Sequence, residues 1–136
     1  MAPSRFTGIL KFEGKRTLLK LRVSNRTKSL VLADRADIAD TSAKRRTGLL
    51  KHQGLDRGEG LWIAPCEGVH TFGMKFPIDV LFLTRQKKVL KVRANMVRGR
   101  IAMSLRAHSV LELPAGTAEA TGTSAGDELE FEKYDA

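Results

Sequence analysis

The sequence predicts a mainly β domain, α+β at the margin. It reads as a small barrel or sandwich of short, mostly antiparallel strands with one main helix near residues 41–50. Two observations carry this. Short apolar or alternating runs recur between turn residues along the chain, whereas a single segment has both the cap and the composition of a helix. The central stretch from Gly60 to Leu83, GLWIAPCEGVHTFGMKFPIDVLFL, has apolar runs at both ends that read as buried strands, with a short polar crossing between them. Strands outnumber helices too heavily for a doubly wound sheet.

Residues 1–16 mix basic and small residues without period and read as a loose tail, which leaves 17–136 as one compact domain. Arg16 to Val23 alternates as a first strand, with Leu19, Leu21 and Val23 on one face. Ser24 to Thr27 is turn chemistry, and Ser29 to Ala33 completes a hairpin. Asp34 to Asp40 is polar and irregular. Asp40 or Thr41 then caps the helix, Lys44 and Arg45 suit its dipole, and Gly54 ends it.

Leu61 to Ala64 is a short strand stopped by Pro65. Val69 to Phe72 and Ile78 to Leu83 follow. In the latter, Ile78, Val80 and Phe82 face one way, while Asp79, Leu81 and Leu83 face the other. Val89 to Val97, Ile101 to Leu105 and Ser109 to Leu113 are further strands. A small-residue segment after Pro114 allows a turn or two of helix, and Glu128 to Phe131 closes the sheet.

At 136 residues and 42% apolar content the chain can bury a continuous core without staples. One Cys excludes an internal disulfide framework. No run is long and apolar enough for a membrane span, and the N-terminal sequence shows no signal-peptide core, so a cytoplasmic location is expected. The net charge of +9 is uneven. Arg85, Lys87, Lys88, Lys91, Arg93, Arg98, Arg100 and Arg106 fall in a segment without acids, whereas acids dominate after Pro114. Such a segment fits nucleic acid or an acidic protein partner, but no aromatic residues are interleaved in it, and a solvated face is the plainer reading.

Several motifs resemble those of a known family. Ala39-Asp40-Thr41, Arg45 and Gly48-Leu49-Leu50 resemble its helix motif, with Leu50 in place of the usual Met. Gly60-Leu61, His70-Thr71-Phe72-Gly73-Met74, Phe76-Pro77-Ile78-Asp79-Val80 and Phe82 resemble its central signature. Val110-Leu111-Glu112-Leu113, Ala115-Gly116 and Gly126-Asp127 resemble its C-terminal one. The family is domain of unknown function 192. The resemblance implies a compact, mostly β domain and no reaction. Many members carry a signal peptide or a lipid-attachment Cys ahead of the domain, and neither is visible in this sequence.

Three constellations could carry chemistry. Cys66, His70 and Met74, with His52 as a fourth ligand, are the soft donors that copper prefers. The plainer reading is a buried thiol, a satisfied His and a packing Met, and no cofactor is expected. Asp79, an acid in an apolar strand, needs a partner, because burying it alone costs several kcal/mol. Arg45 is the expected bidentate partner; the alternative is a pocket in which His70 and Asp79 act as acid and base. A Cys66–His70 nucleophilic dyad has nothing to supply its oxyanion hole. The sequence therefore reads as a binding or accessory module for a small ligand, leaning away from an enzyme. Its expected functional surface is a polar rim of Arg45, His70, Thr71, Met74 and Asp79.

Overall fold

The structure is a computed structural model and describes residues 19–136. The expected tail of residues 1–16 and the first residues of the first expected strand lie outside the described residues. The strands are β1 (Leu19–Asn25), β2 (Leu30–Ala39), β3 (Glu59–Ile63), β4 (Gly68–His70), β5 (Ile78–Leu83), β6 (Val89–Met96), β7 (Ile101–Met103), β8 (Ser109–Pro114) and β9 (Leu129–Asp135). The helices are α1 (Ser42–Thr47) and α2 (Thr117–Thr121). Strand makes up 48% and helix 9% of the described residues, so the mainly β expectation holds.

Seven strands form one mixed sheet in the order β9-β1-β2-β3-β8-β5-β6, and β4 pairs with β7 in a separate ribbon. Every neighbouring pair is antiparallel except β2–β3. The ends of the large sheet approach each other at a single bridge between Lys88 and Glu128, where Val89 N–H donates to Asp127 C=O at 2.8 Å. The sheet thus curls towards a barrel without a continuous closing ladder.

Two expectations change near the first crossover. The stretch from Asp34 to Ala39 is not irregular: it extends β2 and runs parallel to β3, with Ala36 opposite Gly60 and Ala39 opposite Ile63. Parallel neighbours need a crossover connection, and α1 lies in it. Polar residues at Asp34, Arg35 and Asp37 hid this strand, because Ala33, Ala36 and Ala39 are the positions it buries. The helix is also shorter than expected. Thr41 does cap it, its Oγ1 accepting Lys44 N–H at 3.2 Å, but the chain turns away at Gly48, whose φ of +50° other residues rarely adopt.

The alternation expected in β5 is observed. Leu81 and Leu83 join Leu21, Val23, Leu32, Leu111 and Leu113 in a core on the concave side. Ile78, Val80 and Phe82 join Leu49, Ile63, Met74, Ala102 and Val110 in a second core on the other side. Leu50 after α1, Cys66 before β4 and Val69 in β4 are partly buried and pack against this second core. The short helix α2 packs against both β2 and β6, which are far apart in the sheet order, and so spans one mouth of the curl.

Candidate functional site

Asp79 is fully buried, as its apolar neighbours require, but its partner is not Arg45. Oδ1 accepts Asn95 N–H at 2.8 Å, and Oδ2 accepts Gly116 N–H at 3.1 Å and Ala118 N–H at 2.8 Å. The carboxylate thereby tethers the start of α2 and the end of β6 to β5. Three backbone donors replace one guanidinium, and backbone N–H groups carry no signature in side-chain identity. Arg45 sits elsewhere, donating to Asp40 C=O at 3.3 Å and Ser42 Oγ at 3.4 Å. Thr71 is also internal rather than part of a rim. Its hydroxyl donates to Val97 C=O at 2.6 Å and accepts Arg100 N–H at 2.9 Å, pinning the turn between β6 and β7.

The remaining candidates do converge. Arg45, Cys66, His70 and Met74 line one cavity of about 190 Å³ beneath α1, with Leu50, Ile63 and Val69 as its apolar walls. His52 lines a different cavity, so the four-donor copper set divides between two places. Cys66 donates its thiol to Gly68 C=O at 3.1 Å, and burial pushes the thiol above its ordinary value, with Glu112 and Glu67 adding to the effect. A thiol held protonated is a poor nucleophile and a poor soft ligand.

The cavity holds one ionisable group that reasoning from sequence passed over. Glu112, on β8, lies between Leu61 of β3 and Val80 of β5 in the sheet and is 6% exposed. Among the described residues none donates a hydrogen bond to its carboxyl, and burial raises its pKa to about 7. Its signal in the sequence matches that of Asp79: an acid inside an apolar run, VLEL. A buried, unpartnered carboxyl facing a cavity is the pattern by which binding sites are recognised. Of the larger cavities, those of about 540 and 280 Å³ hold no buried, unpartnered side-chain group among the described residues, whereas the one of about 620 Å³ is lined by His108, whose Nδ1 is buried without a partner and whose pKa burial lowers. Asp37 in the first pairs with Lys20.

The basic segment is dispersed. Lys87 Nζ lies 5.1 Å from the ring centroids of both Trp62 and Phe131. Lys91 donates to Met103 C=O at 2.9 Å, Arg93 to Ile101 C=O at 3.5 Å and Arg98 to Met74 C=O at 3.1 Å. Arg85, Lys88, Arg100 and Arg106 are exposed. No helix among the described residues is long and apolar enough to cross a membrane.

Comparison with known proteins agrees with this architecture. A UPF0127 protein from Thermococcus sibiricus is 32% identical over 114 residues, covering 79% of this chain and 73% of the relative. A crystal structure of a protein of unknown function from Novosphingobium aromaticivorans superposes with a TM-score of 0.71 at 25% identity, over 82% of this chain and 83% of that one. A second, from Sinorhizobium meliloti and described as a candidate transcription regulator, superposes with a TM-score of 0.73 at 23% identity, over 87% and 98%. At that identity it speaks for the fold alone. The sequence profile of the uncharacterised family DUF192 matches residues 23–131, and the chain belongs to that family.

Proposed function

We propose that the domain is a small-ligand binding module whose site is the cavity beneath α1, with Glu112 as its polar anchor. The observation that carries this reading is the Glu112 carboxyl, which lines the cavity, is largely withdrawn from water and has no hydrogen-bond donor among the described residues. Burying a carboxyl without a donor costs free energy that an alternative apolar residue would avoid. A ligand bearing an amine would recover that cost by donating to Glu112. Leu50, Ile63, Val69 and Met74 would receive its apolar body, and Arg45 an anionic end where one is present. At about 190 Å³ the cavity is somewhat larger than the ~150 Å³ space that admits a benzene. The ligand is correspondingly small. His70, exposed beside the cavity, then acts at its rim, and nothing in this reading requires a reaction.

The test is a nuclear magnetic resonance titration with short alkylamines and size-matched alkyl carboxylates. Amines should shift the amides of Gly48, Val69 and Met74, more strongly at pH 8 than at pH 6, because Glu112 ionises between them. Glu112→Gln should remove the preference for amines. Shifts confined to other surfaces, or carboxylates binding as well as amines, would sink the reading.

A further inference from the structure

We infer that the outer face of the β4–β7 ribbon docks onto an anionic lipid surface. The inference is independent of the cavity. In the ribbon His70 pairs with Ile101 and Gly68 with Met103, so these residues share a face, while Val69 and Ala102 turn inward to the second core. The outward face is apolar and open to solvent. Ile101 is 60% exposed, Met103 51% and Leu105, in the turn that follows, 73%. Phe72 is 51% exposed, and its ring stacks on His70 with centroids 5.4 Å apart. Opposite Met103 stands Gly68, which offers no side chain to cover it; a Cβ there would already lie 3.4 Å from Met103 Cγ.

Cations border this patch along β7 and at its ends. Arg100 and Arg106 flank β7 in sequence and are exposed, as is Arg98. Lys91 and Arg93 reach from β6 to the carbonyls of β7 itself. From Arg85 to Arg106 the chain has no acid, and Glu67 is the acid that stands nearby, beside Ser104. Apolar side chains bordered by Lys and Arg are the composition that partitions into the headgroup boundary of an anionic bilayer. Nucleic acid would satisfy the arginines but leave Ile101, Met103 and Leu105 in water, since base stacking uses aromatic faces and His70 already stacks on Phe72. A protein partner would need a concave seat for its anchors. Among the described residues, Ile101, Met103 and Leu105 line none of the main cavities, so they offer such anchors no seat.

The test is co-sedimentation of the full chain with phosphatidylcholine vesicles, with and without phosphatidylglycerol as about a third of the lipid. The protein should sediment with the anionic vesicles and not with the neutral ones, and half-molar salt should release it. The double variant Ile101→Ser, Leu105→Ser, at positions too exposed to unfold the domain, should bind anionic vesicles about tenfold more weakly. An unchanged thermal midpoint checks its fold. Absence of vesicle binding would overturn the inference, as would undiminished binding by the double variant. So would tighter retention of a single-stranded oligonucleotide than of the vesicles.

Discussion

Asp79 and Glu112 stand one register step apart on adjacent strands yet on opposite faces of the sheet. Asp79 pairs with Leu113 and Val80 with Glu112, so the single-residue offset sends one carboxyl into the concave core and the other into the outer one. Their fates diverge with their surroundings. On the concave side the start of α2 brings N–H groups to Asp79; on the other side Glu112 meets Leu61, Val80 and a cavity.

Asp79→Ala should therefore cost roughly 3–5 kcal/mol, because three backbone N–H groups lose their acceptor in a buried place. Arg45→Met should stay within about 0.5 kcal/mol of the parent. Denaturant unfolding of both single variants and the double should show additive losses. Recovery of stability in the double variant would mean that the two side chains meet in solution.

Glu112 makes stability fall as pH rises. Its carboxyl binds a proton more tightly when folded, about 7 against an ordinary 4.5, so the folded chain holds a proton that the unfolded chain gives up. The contribution is full below pH 4.5 and lost as pH climbs through 7, a change of roughly 3 kcal/mol. Glu112→Gln should be nearly flat over that window and more stable than the parent at pH 8. Unfolding free energies at pH 5 and pH 8 give the comparison directly. Parallel profiles for the two proteins would contradict the burial of Glu112.

Asp127 behaves in the opposite sense. It accepts Lys28 Nζ at 2.7 Å, Asn25 Nδ2 at 2.9 Å and Ser124 N–H at 3.0 Å, and the Lys28 hydrogen bond leads in holding its carboxyl below the ordinary value. Its stabilisation is present above the unfolded value of 3.8 and disappears as pH falls through the folded one. Asp127→Ala should cost roughly 2–3 kcal/mol at pH 7, since Asn25 and Ser124 lose a buried acceptor. The deficit should shrink in acid. A deficit unchanged at pH 2.5 would separate Asp127 from the acid transition.

Duplex DNA should bind at non-specific strength, roughly 0.1 mM to 1 µM at physiological salt. Lys87 is held beside two aromatic rings, and Lys91 and Arg93 lie along the apolar β4–β7 ribbon, so the cations of the segment do not gather into one track for a phosphate backbone. Anisotropy of a labelled duplex against salt measures this. Nanomolar, sequence-selective retention would contradict it.

What the sequence determined by itself were features governed by local pattern. The alternation of Ile78 to Leu83 announced a strand facing two cores, and Thr41 announced the helix start, because side-chain period and cap chemistry act over a few residues. The burial of Asp79 was legible for the same reason. Only the tertiary structure decided what met that carboxylate. Its donors are main-chain groups at positions 95, 116 and 118, and any residue but proline supplies such a group. Tertiary pairing also made a strand of Asp34 to Ala39, by setting its alanines beside β3. It placed His52 and His70 at different cavities and drew Glu112 to the one beneath α1. Distances of that kind depend on strand order and register, which long-range packing sets and no stretch of sequence carries alone.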